Sequence, residues 1–231
     1  MLELPKIHLL SSAVPTSSLP DPLSWRLHTL DIKPAGDTVH IKLSGSYNDF
    51  EGGYDIVIIS TGEMTIHSSF KYTGDTLLAR EIGMAFSVPR DCDMLRWERQ
   101  GEWSVYPADH IGRTLGETRA FANHSDEVPP TWSWAEDNSP MGCNDFRSTK
   151  RHIYWASLCY PDGIGAWVES DGSQHVRAIV QTDRIAFFIN DWYGGTNTGL
   201  WEWTSNYGEG KKIVPGQMIE SILHVQIAKI K

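Results

Sequence analysis

Apolar side chains in this chain recur at every second position far more often than at every third or fourth. Val39, Ile41 and Leu43, then Met64, Ile66, Phe70 and Tyr72, then Ile82, Met84, Phe86 and Val88 each put apolar groups on one face of an extended strand. The second half repeats the pattern in residues 153–159, 176–180 and 185–189, and again at Ile219, Leu223, Val225 and Ile227. Turn signals such as Pro161-Asp162-Gly163 and Asp171-Gly172 separate these runs. A strand that is apolar on one face needs a second layer over that face, so the alternation predicts an all-β antiparallel sandwich. The best helical candidate is a short piece around Leu115 to Ala122. That is too little for a doubly wound α/β fold or for a barrel ringed by helices.

Pro5, Pro15, Pro20 and Pro22 fall among Ser and Thr in residues 1–24, which read as an extended linker. The sandwich domain is expected over residues 25–231. Twenty Lys and Arg against 29 Asp and Glu leave a net charge of −9. Such a chain lacks the basic stripe that displaces counterions from phosphates, so neither nucleic acid nor an anionic membrane is expected as a partner. No apolar run reaches the roughly 20 residues of a bilayer span, and the start MLELPKIHLLSS has no basic segment before a long apolar one. The chain reads as soluble; the sequence leaves its compartment open, with the cytoplasm favoured. Cys92, Cys143 and Cys159 are irregularly spaced and fit free thiols better than a disulfide framework or a zinc site.

No nucleophile elbow, zinc-protease helix, phosphate loop, dinucleotide fingerprint or paired CxxC occurs, and no catalytic residue, cofactor or metal is assigned. The nine histidines are scattered. Two stretches resist assignment to strands, residues 97–116 and 129–150, and long irregular segments inside a compact domain are usually binding loops. Tryptophan is the compositional anomaly, with ten in the chain. A pyranose offers an apolar C–H face and a polar rim, so aromatic rings beside Asp, Asn and Arg suit it. Candidates are Trp201 and Trp203 after the Gly/Asn turn that contains Asn197, Trp103 and Tyr106 in the first irregular stretch, and Asp145 with Arg147 in the second. Trp155 and Trp167, on strands, read as core filling.

Three stretches resemble the C-terminal β-supersandwich, or small-chain domain, of glycoside hydrolase family two β-galactosidases. The first runs from TGEMTIHSSFKYTGD through LAREIGMAFSVP to MLRWERQGEWSVYP, where Trp97, Gly101, Tyr106 and Pro107 match a W-x-G-x-G-P-x-E-x-Y-P motif. Glu102 and Ser104 stand where that motif has proline and glutamate. The second is DNSPMGCNDFRSTKRHIYWASLCYPDGIG, matched at Asn138, Gly142, Asp145, Arg147 and Leu158. The third is GGTNTGLWEWTSNY, similar to a G-G-x-D-S-W segment whose tryptophan lines the galactose subsite. Trp201 is the first carry-over and Trp203 the second.

The resemblance implies an antiparallel β-supersandwich of the galactose mutarotase-like kind, lacking its first strands and the barrel that carries both catalytic glutamates. The expected role is therefore non-catalytic. An aromatic loop would hold a β-galactoside or related sugar for a catalytic glycosidase chain or domain outside this polypeptide. Two other readings stand beside it. One is a stand-alone aldose-epimerase-like isomerase, with a His and a carboxylate on one face, for instance His152 with Asp145 or His110 with Asp109. The other is a structural or oligomer-forming module, in which the Trp-rich loops bury against partner subunits; an unpaired sheet edge left by missing strands is a further natural surface for a second copy.

Overall fold

The structure, a computed structural model, describes residues 5–11, 25–101, 113–121, 133–135, 147–194 and 210–229. The described residues form strands and turns and no helix. In chain order the strands are β1 (Lys6–Ser11), β2 (Arg26–Ala35), β3 (Thr38–Tyr47), β4 (Phe50–Ile59), β5 (Glu63–Tyr72), β6 (Leu77–Pro89), β7 (Met94–Arg99) and β8 (Leu115–Arg119). They continue as β9 (Thr149–Lys150), β10 (Ile153–Cys159), β11 (Ile164–Glu169), β12 (His175–Val180), β13 (Arg184–Tyr193), β14 (Lys211–Ile213) and β15 (Met218–Lys229). A six-stranded sheet runs β1-β6-β13-β12-β9, with β14 also on β6, and a nine-stranded sheet runs β2-β3-β4-β5-β15-β11-β10-β7-β8. Every pairing is antiparallel.

The apolar positions read from the sequence are the ones that meet between the sheets. Ile82, Met84, Phe86 and Val88 on β6 and Ile185, Phe187 and Ile189 on β13 pack into one core with Ile56, Ile66, Phe70, Leu223 and Val225 of the nine-stranded sheet. Phe70 is its aromatic centre, with the rings of Tyr54 at 5.0 Å, Tyr47 at 5.7 Å, Trp25 at 6.1 Å and Phe50 at 6.4 Å. Burying aromatic surface of this extent is the main favourable term in folding, and edge-on ring contacts add to it. A polar tie also joins the sheets: the Tyr54 hydroxyl accepts from the Ile7 backbone N–H at 3.0 Å and sits 2.7 Å from the Tyr47 hydroxyl. The alternation thus yields the all-β antiparallel sandwich it called for.

Three expectations need correction. Residues 6–11 are not linker: β1 pairs with β6 from Lys6 opposite Ala85 to Ser11 opposite Ala79. The prolines flank this strand, with Pro5 just ahead of it and none inside, so its backbone donors stay available. Leu115–Arg119 is a strand rather than a helix, because pairing with Met94–Glu98 satisfies its backbone along a sheet edge. Trp155 and Trp167 do not fill the core. Their neighbours Ala156, Leu158, Ala166 and Val168 point inward, which by alternation turns both tryptophans to the outer face of the nine-stranded sheet. There they stack at 4.2 Å and 14° while the indole N–H of Trp155 donates to Glu98 and that of Trp167 to Glu169. Cys92 and Cys159 are buried free thiols, as expected, and Cys143 lies outside the described residues.

Candidate functional site

The face of the six-stranded sheet turned away from the core is also buried, and it carries the polar residues. Register places His8, Gly83, Asn190 and His175 in one row across β1, β6, β13 and β12. The neighbouring outward row on one side holds Lys6, Ala85, Phe188 and Arg177, and the one on the other side holds Leu10, Glu81 and Tyr193. Small residues at the centre make the space. A Cβ on Gly83 would stand 2.0 Å from the Ile189 carbonyl oxygen and 2.6 Å from the Asn190 Cα, so only glycine allows β6 and β13 to approach as they do.

Over that glycine the long side chains converge on one carboxylate. His8 Nε2–H donates to Glu81 Oε2 at 2.9 Å, and Asn190 Nδ2 donates to the same oxygen at 3.2 Å. The Arg177 guanidinium stands 3.0 Å from Glu81 Oε1, and Glu81 and Arg177 are both 0% exposed. Phe188 supports the group from the sheet, 4.3 Å from the His8 ring and 5.5 Å below the Arg177 guanidinium. Burial alone would push the Glu81 carboxyl up; the His8 hydrogen bond and the Arg177 charge outweigh it and hold the group below the usual carboxylate range. Glu81 is therefore ionised and engaged on both oxygens, which suits it to hold shape and charge and makes it a poor proton acceptor.

His175, in the same row, meets His152 at the end of the sheet, ring centroids 4.6 Å apart. His152 has the left-handed backbone conformation, φ 55, alone among the described residues other than glycine. Three hydrogen bonds fix it: its N–H donates to His175 Nδ1 at 3.0 Å, its Nδ1–H donates to the Gly172 carbonyl at 3.0 Å, and its carbonyl accepts from Gln100 N–H at 2.7 Å. Burial, then the neighbouring His152 and Arg151, pull the His175 pKa down to about 4. A His175 held neutral matches the ring nitrogen that accepts from His152.

Acid should destabilise the fold through these groups. Unfolded, His175 returns to about 6.5 and binds a proton that the folded state refuses, so stability falls as pH drops from about 6.5 towards 4. The step is on the order of 2 kcal/mol after solvent screening. Glu81 acts in the same direction lower down, its contribution being lost as pH falls through its depressed folded value. Thermal melts from pH 7 to pH 4 should show Tm falling through this window, and His175→Asn should flatten the upper part. An unchanged Tm profile in His175→Asn would refute the assignment.

Of the sugar-site candidates singled out from sequence, Arg147 alone is described, and of the residues named for an isomerase, His152 alone. Arg147 is half-buried, and its carbonyl accepts from Lys150 Nζ at 2.8 Å, that ammonium standing 4.2 Å over the Trp97 ring. Trp201, Trp203, Asn197, Trp103, Tyr106 and Asp145 lie outside the described residues, as do His110 and Asp109. The described ends of their segments nevertheless share a neighbourhood. Gly194, before residues 195–209, donates its N–H to the Arg80 carbonyl beside Glu81, and Lys211, after them, stands opposite Ala79 of the same strand. Arg147, after residues 136–146, leads into Thr149, which is opposite Arg177. Gln100, ahead of residues 102–112, is hydrogen-bonded to His152.

Sequence reasoning missed His8, Glu81, Arg177, Asn190 and His175. The available signal was Gly83-Met84-Ala85-Phe86-Ser87, in which the residues alternating with the core positions are all small. A strand with small residues on its second face is covered closely on that face too. A concavity of about 700 Å³ lies elsewhere, lined by His67, Glu169, Asp171, Glu220 and His224 among others. Among the described residues no group of His, Cys, Asp and Glu is arranged to hold a metal ion.

No protein-family model matches the chain, and no curated protein matches it. Among solved structures it is similar to a GH36 alpha-galactosidase from Geobacillus stearothermophilus in complex with stachyose, at 12% identity and a TM-score of 0.47. That overlap covers 97% of this chain and 30% of the alpha-galactosidase, so the chain spans under a third of that enzyme's length. It is also similar to a putative aldose 1-epimerase from Escherichia coli K12 (10% identity, TM-score 0.38, 90% of this chain and 70% of that one). A galactose mutarotase related enzyme from Lactobacillus acidophilus is similar at 12% identity and a TM-score of 0.36, over 87% of this chain and 71% of that one.

Proposed function

We propose that the chain is a non-catalytic, carbohydrate-binding β-sandwich whose sugar site lies over the outer face of the six-stranded sheet. The reading rests on one observation above others: the described residues that border the segments carrying Trp103 and Tyr106, Asp145, and Asn197, Trp201 and Trp203 are linked by hydrogen bonds or strand pairing to residues of, or next to, the same polar face. In this reading Glu81, Arg177, His8 and Asn190 form a rigid charged floor, and the tryptophans supply rings that stack on the sugar's C–H face. A carboxylate engaged on both oxygens and held ionised favours positioning over proton transfer. The motif likeness to the small-chain domain of family two β-galactosidases makes a β-galactoside the first ligand to test and a separate catalytic barrel the partner. Positioning of this kind contributes to catalysis through orientation, while the isolated domain binds sugar weakly.

A tryptophan-fluorescence titration with methyl β-galactoside tests this directly. Saturable quenching in the millimolar range, roughly −4 kcal/mol, is expected for the native chain and should be lost in Trp201→Ala, with no hydrolysis of a chromogenic β-galactoside. Hydrolysis by the isolated chain, or binding unaffected by both Trp201→Ala and Trp203→Ala, would refute the reading.

A second reading has its own support. His8 and Glu81 bring a histidine and a carboxylate to one sheet face at 2.9 Å, the pairing that an aldose-epimerase-like isomerase requires. Polarimetry on freshly dissolved α-galactose separates the two: acceleration by the native chain that vanishes in His8→Ala would favour the isomerase.

A further inference from the structure

An isoleucine row that crosses the nine-stranded sheet runs out of the core into solvent. Ile66, Ile56, Ile41 and Ile32 stand opposite one another on β5, β4, β3 and β2. Ile66 is 0% exposed and Ile56 1%, Ile41 is half-buried, and Ile32 is 54% exposed. Leu30, opposite Leu43 on the same face, is 51% exposed. β2 is the last strand of its sheet, and all ten of its residues are exposed.

Among the described residues nothing pairs with the outer edge of β2, and the backbone groups on that edge are turned away from β3. The β2–β3 hairpin turns at Gly36, φ 66, and Asp37, which leaves Ala35 and Thr38 as the closing pair. Counting back from that pair, antiparallel alternation turns the backbone groups of Lys33 and Asp31 towards β3 and those of Ile32 and Leu30 to the open edge. Pro34 shares that outward phase, so its missing N–H takes no bond from the β2–β3 ladder.

The solvent face adds a charge pattern. Asp55, Lys42 and Asp31 stand opposite one another and alternate in sign, with Lys42 Nζ 3.0 Å from Asp55. Lys33 is 2.6 Å from Asp31 along the same edge. The next place in the row, beyond Asp31, calls for a cation. An antiparallel copy of β2 turned about a two-fold axis at Ile32 puts its own Lys33 there. The same operation sets Ile32 against its counterpart, extends the isoleucine row, and lets Leu30 N–H donate to the Pro34 carbonyl of the second copy in both directions.

We propose that β2 pairs antiparallel with β2 of a second copy of this chain about a two-fold axis at Ile32, joining two nine-stranded sheets into one. A single lysine on an edge strand normally deters such pairing. Here it meets the partner's Asp31 and fixes the register, as an isologous contact requires.

Sedimentation velocity of the full chain from about 1 to about 100 µM, the range that brackets weak and moderate dimers, tests the interface. A dimer that dissociates on dilution is expected. Asp31→Lys sets lysine against lysine across the axis and should raise the dissociation constant at least about tenfold. Asp31→Lys combined with Lys33→Asp restores opposite charges and should restore the dimer. All these residues are exposed, and circular dichroism confirms that each variant remains folded. A native chain that stays monomeric at the highest concentration overturns the proposal, as does a dimer indifferent to Asp31→Lys or one not rescued by the double exchange.

Discussion

Glu81→Ala is expected to lower the unfolding free energy by about 3–5 kcal/mol, the cost of removing one partner from a buried ion pair. Arg177, 0% exposed, would lose its carboxylate, and His8 and Asn190 would both lose the oxygen they donate to. Glu81→Gln keeps the shape and an acceptor oxygen and should cost less, about 1–3 kcal/mol. Read from urea unfolding midpoints at constant slope, the cost of Glu81→Gln measures the charge and the further loss in Glu81→Ala measures shape and hydrogen bonding. A Glu81→Gln variant as stable as the native chain would mean that volume rather than charge is what Glu81 supplies. The same substitution should abolish sugar binding even where the variant stays folded, because the floor of the proposed site would lose its shape.

Phe70→Ala should be comparably damaging, about 3–5 kcal/mol, for a different reason. Phe70 sits where the rings of Trp25, Tyr47, Phe50 and Tyr54 converge, and those neighbours are held on β3, on β4 and just ahead of β2, which cannot collapse together into the void. Trp155→Ala makes the contrast. It removes a larger side chain from a half-exposed stack on the outer face, and should cost markedly less than Phe70→Ala. If Trp155→Ala proved the more destabilising, the assignment of inner and outer faces on β10 would be wrong.

That pair of residues also shows what the sequence could tell. Ile82, Met84, Phe86 and Val88 announced the core face of β6, because a strand's period of two leaves one choice of face once the apolar set is known. The same rule, applied to Ala156 and Leu158, puts Trp155 outside; the general tendency of tryptophan to be buried hid it. Leu115–Arg119 looked helical in isolation because nothing local distinguishes a five-residue edge strand whose pairing partner lies twenty residues away. His8 was obscured by the prolines around β1, which argue against helix but not against a short strand. The convergence of His8, Glu81, Arg177 and Asn190 was beyond reach for a simpler reason. It depends on the registers of β1, β6, β12 and β13, which include pairings such as Asn190 with Gly83 between strands distant in the chain. The aromatic residues proposed from the family likeness lie outside the described residues, so their part in the site rests on the anchoring of their segments and on the titration above.

Where a sugar touches the sandwich decides whether the outer face of the six-stranded sheet is the site. Amide chemical-shift mapping of the isotopically labelled chain during titration with methyl β-galactoside answers that in one experiment. Shifts gathered at residues 81–85, 175–177 and 190–194, on the outer face of the six-stranded sheet, are the predicted result. Shifts confined to Glu169, Glu220 and His224 around the other concavity, or none at saturating sugar, would contradict it.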